Sequence, residues 1–501
     1  MLPAERATAG LAGIAAQEPD RISSAVAGAI LLGVLAAPAR AVEYSFHPKG
    51  WVDFGRIVNA EDTLTNQPSQ NPILDYSGRT LQSHGAQFTL RADLSDRMEG
   101  GFGFGAHKAT HAIGSRQTNF TAISLYQVFI TEARLTAYAG AKADPSFSAT
   151  VGVFPFVYNP DAKNLGLYLL RGMVYPGILM GGFGDFAADS SKGNVFGARL
   201  RHSHGPFRGD LILNCELDIP PTFDWSLAYL GRLDWGALRI GAGVNFYRLL
   251  PYDSRLMTPG RHPEVLNGAS LADYIEVDRS DPAAPDTTFL TLQGTKLIAM
   301  ASLDLRKLLD IAGPFAEDDW KLYGEAGVIG VRNHGKTYGN PLQRMPVMLG
   351  FNFPTWGLLD HLSLEIEYYG ARYRNDLALV GNNNLVADWT IQDHPTPSPK
   401  PPTDSLYGIV DHAFHVNQAG DTVRVAGTPL AKENLTQDDL KWSLFLEKII
   451  AGRIRFIGQL ANDHYRPRPV AAGMIKSTGG TAEVFASPRD WYYMLRIGFF
   501  F

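Results

Sequence analysis

The sequence predicts an all-β chain that crosses a membrane as strands: an antiparallel barrel of about 16 strands, with 14 to 18 allowed, and long outer loops. Three observations carry this. An apolar run near the start reads as an export leader, and no later run is long enough for a spanning helix. Stretches in which apolar and polar residues alternate recur along the chain. Short, turn-like connections between them trade places with long polar ones.

The leader is built from Arg21, the apolar stretch ISSAVAGAILLGVLAA, and Ala39 and Ala41 at small-x-small spacing before Val42. It reads as a signal peptide over residues 1–41, leaving 42–501 as one barrel domain. The stretch before Arg21 departs from a short positive head, since it holds Glu5, Glu18 and Asp20; translation starting downstream of Met1 would account for that. With 19% charged residues and a mean hydropathy of -0.09, the chain is too polar for a helical membrane protein. Gly 51 and 11% aromatics suit many strands and tight turns. A net charge of -5 and the lack of a basic tail exclude nucleic acid as a partner. The single cysteine, Cys215, excludes an intrachain disulfide framework and a cysteine-based zinc site.

In AQFTLRADL, Ala86, Phe88, Leu90, Ala92 and Leu94 share one face, opposite Gln87, Thr89, Arg91 and Asp93. LRIGAGVNFY sets Leu238, Ile240, Ala242, Val244 and Phe246 against Arg239 and Asn245. LSLEIEYY sets Leu362, Leu364, Ile366 and Tyr368 against Ser363, Glu365 and Glu367. Residues 132–138, 147–153, 195–201, 210–216, 322–328, 442–447 and 453–460 continue the pattern. The clearest segments run about 8 to 11 residues, the length a tilted strand needs to cross the hydrocarbon layer. The longest connections, 251–295 and 375–439, are polar, and the second holds the proline-rich HPTPSPKPPTD. A soluble sandwich also alternates, but collecting this many long stripes in one core would make an unusually large β domain. Stripes that face lipid need no such core, and closure removes the sheet edges. On this reading arginine is costly at Leu364 or Ala242 and tolerated at Ser363.

The chain ends WYYMLRIGFFF. Trp491, Tyr493, Leu495, Ile497, Phe499 and Phe501 form one apolar stripe, with Trp491 to Tyr493 and Phe499 to Phe501 set to supply interfacial aromatics at the two ends. With the leader and the alternating strands, this end resembles the outer-membrane β-barrels of Gram-negative-type bacteria. The resemblance implies that the last strand closes the barrel and that Tyr493, Leu495, Ile497, Phe499 and Phe501 form the signal read by the barrel-assembly machinery. It implies outer-membrane lipid as surroundings and allows a homo-oligomer, trimers being common among porins.

Residues 155–186, PFVYNPDAKNLGLYLLRGMVYPGILMGGFGDF, break the alternation and are too apolar for a solvated outer loop. General porins are similar, with a long early loop tucked inside. The expectation is a constriction in the lumen with Asp161, Lys163, Arg171 and Asp185 setting the local field. The lumen face then carries Arg91, Arg134, Arg199, Arg201, Arg239, Arg453, Arg455 and Arg496 with Asp93, Glu132, Glu216, Glu365 and Glu367. Both signs are present, which suits either wall ion pairs or a transverse field across the pore. His202-Ser203-His204 reads as a polar turn before a metal site, and Asp318-Asp319 as a solvated turn. No HExxH, GxSxG, Walker or dinucleotide motif is present, and no cofactor or metal is expected. The function expected is a porin-like channel for passive diffusion of small hydrophilic solutes, and not an enzyme. The alternatives are a structural or adhesive barrel with a closed lumen and, third, a barrel-borne enzyme.

Overall fold

The computed structural model describes residues 42–60, 77–78, 80–111, 126–140, 142–143, 145–166, 193–215, 225–250, 274–278, 286–290, 294–329, 331, 345–368, 412–416, 422–426, 440–463 and 488–501. The expected leader, 1–41, lies outside them, as do Arg171, Asp185 and the proline-rich stretch. No described helix is long and apolar enough to cross a membrane.

The strands are β1 (Glu43–Asn59), β2 (Thr80–Ser95), β3 (Met98–His111), β4 (Tyr126–Ala139), β5 (Phe147–Phe156), β6 (Gly193–His204), β7 (Phe207–Cys215), β8 (Trp225–Trp235), β9 (Leu238–Leu250), β10 (Tyr274–Asp278), β11 (Asp286–Leu290), β12 (Gly294–Asp304), β13 (Lys321–Ile329), β14 (Val347–Asn352), β15 (His361–Tyr368), β16 (His412–Val416), β17 (Thr422–Ala426), β18 (Leu440–Ile450), β19 (Ile454–Asn462) and β20 (Trp491–Phe500). Sixteen of them, all but β10, β11, β16 and β17, form a closed barrel in chain order, sealed by β20 against β1. Every barrel pairing is antiparallel, as hairpin connections require. The strand number, the closure and the role of the last strand as the closing element agree with the sequence reading. Phe501 is docked, its N–H donating to the Pro48 carbonyl at 3.2 Å.

Facing follows the alternation. On β15, His361, Ser363, Glu365 and Glu367 point inward and are buried, while Ile366 and Tyr368 are exposed on the outside. Phe46, Phe102, Phe104, Val128, Leu349 and Leu495 are likewise exposed. Outward rings run across strands, Phe46 to Phe88 at 5.8 Å and Phe88 to Phe104 at 5.3 Å. A continuous apolar exterior around a closed sheet is a lipid-facing surface, because water would penalise so large a patch. One parity change occurs at Thr131, an extra residue between the Gly103–Glu132 and Phe104–Ile130 pairings. This β-bulge keeps Val128 and Ile130 outside while Glu132 and Arg134 turn inward, so strict alternation fails across β4.

Several expectations are corrected. The two long connections are not wholly irregular: they supply β10, β11, β16 and β17, a separate four-stranded sheet in the order β11-β10-β17-β16. In it β10 and β17 pair in parallel, so backbone from one connection hydrogen-bonds backbone from the other. Tyr492 belongs to no interfacial girdle; inward parity buries it, and its hydroxyl donates to Asp463 at 2.8 Å. Asp319 is buried rather than solvated, accepting from the N–H groups of Ala316 (3.0 Å) and Thr355 (2.9 Å) and from the Thr355 hydroxyl. Ser363 is fully buried, so tolerance of arginine there is withdrawn. His202 faces out, its ring stacked on Tyr229 at 6.2 Å, and no metal-binding cluster exists among the described residues.

Candidate functional site in the barrel interior

The inward face is not uniformly polar. Phe154, Phe156 and Tyr158 pack with inward residues of neighbouring strands, Val195, Ile212, Ala228, Leu230, Ile298 and Met300. These anchor the end of β5 and launch the following segment, 157–166, into the barrel. Tyr158 donates to the Gly231 carbonyl on β8 at 2.8 Å. An Asx turn follows, in which the Asn159 side chain accepts from the Asp161 N–H at 3.1 Å.

The segment then crosses to the far wall. Asp161 accepts from Arg239 of β9 at 2.9 Å and lies 3.5 Å from the Lys321 ammonium of β13. The N–H groups of Lys163, Asn164 and Leu165 all donate to the Glu365 carboxylate of β15, at 2.5, 3.0 and 2.6 Å. Successive amides of this kind form a concave anion nest, here filled by the protein's own carboxylate. Tyr323 of β13 adds a fourth donor at 3.0 Å. The Asn164 amide reaches Asp463, just past β19, at 2.6 Å. Gly166 takes φ +88, a backbone conformation that favours glycine, and a Cβ there would also push on the Glu325 carboxylate. Ten residues therefore touch inward groups of β8, β9, β13 and β15 and the end of β19, which is possible only for a segment lying inside the barrel.

At the short-turn rim, Lys163 lies 3.8 Å from Asp318, which also accepts from Lys321 at 2.5 Å. Burial disfavours the Asp318 anion, but the Lys321 hydrogen bond and charge, with Lys163 behind them, hold its carboxyl below the ordinary value.

The expected lumen residues divide in two. Arg91 and Asp93 on β2 are exposed; Arg134 on β4 bonds Glu99 (2.6 Å) and Glu132 (3.1 Å), and Lys142 bridges Asp93 and Glu99. Arg91, Asp93 and Lys142 meet water, whereas Arg134, Glu99 and Glu132 behind them are largely buried. Glu365 and Glu367 point inward as expected but are 1% and 0% exposed, so they line no water; the segment covers Glu365. Arg239 is committed to Asp161 and Asp234, and Arg455 to Glu447 at 2.7 Å. Arg453 is corrected: it sits exposed in the turn of residues 451–453, and the strand begins one residue later. Asp161 and Lys163 come together in one segment, each tied to a different partner. Sequence reasoning missed Tyr323, Asp318, Lys321 and Asp463. Inward parity in LYGEAGV marks Tyr323, whereas nothing in the sequence marks Asp463, which acts from beyond a strand end.

A closed barrel of sixteen antiparallel strands, with apolar exterior, the start of β1 and the end of β20 on the short-turn rim and a connection run through the interior, is a porin-like architecture. No family model matches the sequence, and no curated protein matches it. Among solved structures the chain is similar to a mutant of the Rh. blastica porin, at 7% identity and TM-score 0.39, over 92% of this chain and 100% of that one. A triple mutant of the Rhodopseudomonas blastica porin matches at 6% identity and TM-score 0.37, with the same coverage.

Proposed function

We propose that the protein is an outer-membrane channel of a Gram-negative-type bacterium through which small hydrophilic solutes diffuse passively. On this reading residues 1–41 are removed on export, and the stripe Tyr493, Leu495, Ile497, Phe499 and Phe501 is read by the assembly machinery. The observation that carries the reading is the division of the interior. The crossing segment fills one side, while Arg91 and Asp93 on β2, with Lys142 beyond the end of β4, stay in contact with water over a more buried Arg134–Glu132–Glu99 cluster. Such charges orient polar solutes, and the segment sets a size limit. Asp161 and Lys163 act as a framework for the constriction, because their charges are spent on wall partners.

Single-channel conductance of the purified protein in a planar bilayer tests this. Stable steps whose size changes on Lys163→Glu are expected. A folded, heat-modifiable protein that never conducts overturns the channel. The second sheet, built from both long connections, favours an adhesive barrel as the rival. Replacing residues 251–293 and 369–439 by short Asn-Gly turns leaves conductance intact if the protein is a channel and abolishes surface binding if it is an adhesin.

A further inference from the structure

The inward face of β6 to β9 near the short-turn rim carries five guanidiniums, Arg199, Arg201, Arg208, Arg232 and Arg239. Three carboxylates answer them, Asp210, Asp234 and Asp161. Asp210 is shared, accepting from Nε of Arg199 at 2.7 Å and of Arg201 at 3.0 Å. Arg199 also lies over the Phe156 ring, 4.9 Å from its centroid. Asp234 is shared too, between Arg232 at 3.1 Å and Arg239 at 2.7 Å.

Arg208 and Arg232 stand directly opposite each other in the β7–β8 register. Like charges in that position repel, and nothing in the backbone demands them there. Among the described residues Arg208 has no hydrogen-bond or ion-pair partner, and it is exposed to solvent. The Nε of Arg232 is buried with no acceptor. A buried charged donor left unmet is costly, whereas an anion between two guanidiniums satisfies both in bidentate geometry.

We infer that Arg208 and Arg232, backed by Arg199 and Arg201, form a binding site for the oxyanion group of a small solute, a phosphate or a carboxylate, on the inner wall at the short-turn mouth. Asp210 and Asp234 orient the guanidiniums and leave the cluster net positive. This deepens the channel reading by naming a solute class, and it rests on that reading for its role in transport. Binding itself does not depend on conduction.

The test is titration of the detergent-solubilised full chain with inorganic phosphate and, separately, with acetate, by calorimetry at low salt, beside bilayer conductance. Saturable binding is expected, weakened at least about tenfold in Arg208→Gln, as loss of a charge-assisted hydrogen bond implies. Asp234→Asn removes a competing carboxylate and should tighten binding, which covers the case of an arginine variant that fails to fold. Phosphate binding alone narrows the class to phosphates; equal binding of acetate extends it to carboxylates. No binding to the wild-type protein, or equal binding by Arg208→Gln, overturns the site. A protein that conducts without binding loses this site and keeps its channel; one that binds without conducting keeps the site and loses the channel.

Discussion

Asp53 and Arg496 meet across the seam where the last strand joins the first, with Arg496 donating at 2.5 and 2.9 Å to the two carboxylate oxygens. Both side chains are buried, Ser83 donates a further hydrogen bond to Asp53, and the guanidinium lies 5.7 Å from the Trp51 ring centroid. Burial makes the pair costly to break and of modest net worth to keep. Arg496→Met should therefore destabilise by about 3–5 kcal/mol, while making Asp53 apolar as well should recover most of that loss. Urea unfolding of both variants in micelles checks it, and equal destabilisation of single and double variants would refute the account. Glu365 poses the opposite case, an anion held by neutral donors. Glu365→Ala strands three backbone N–H groups and should cost about 2–4 kcal/mol, allowing for some entry of water. Because the segment loses its far anchor, the same variant should give larger or noisier conductance steps; a quiet, unchanged step would mean the segment is held elsewhere. Arg496 was legible as an inward charge from its place between members of the outward terminal stripe, but its partner, 443 positions away in sequence, was not.

Strands were the most legible elements, because a barrel with an apolar exterior enforces the period of two wherever the pairing register is regular. Residues 86–94, 238–246 and 362–368 fall on the faces their alternation assigned. Legibility failed where the period itself changes. In β4 the stripe was readable only from Glu132 onward, because the bulge at Thr131 reverses parity and Val128 and Ile130 belong to the opposite phase. It failed also in the long connections, where β10, β11, β16 and β17 are five residues each, too short to show a period. Solvation of the inner face could not be read at all. Parity says that Ser363 and Glu365 point inward, and only the path of residues 157–166 decides that Glu365 meets protein in place of water. An outward position is free of that ambiguity. Leu364→Arg should cost about 2–4 kcal/mol if it lies near the bilayer midplane. Measured by reversible unfolding into lipid vesicles, a cost near zero would put β15 the other way round.

Closure at the scale of the whole molecule depends on β20, which seals the sheet against β1. β20 pairs β19 on one side and β1 on the other, from Lys49–Phe500 up to Asn59–Trp491, with one irregularity at Ile57. Until that strand docks, the growing sheet has two open edges, each a row of unpaired N–H and C=O groups that lipid cannot satisfy. On the proposed reading the outward stripe of β20 is recognised before it is buried in the bilayer, and Phe499 and Phe501, both exposed, are its apolar end. Phe501 adds one hydrogen bond to the finished barrel, through its N–H to Pro48, and its side chain is 83% exposed. Its removal should then leave the folded barrel nearly as stable as before while slowing its formation. Deleting Phe501 is expected to lengthen the half-time of assembly in a machinery-dependent reconstitution, with conductance and unfolding midpoint of the assembled protein unchanged. Equal assembly rates would show that the stripe ending at Phe499 suffices. A fall in the midpoint with no change in rate would make the terminal residue part of the seam's structure and not part of its recognition.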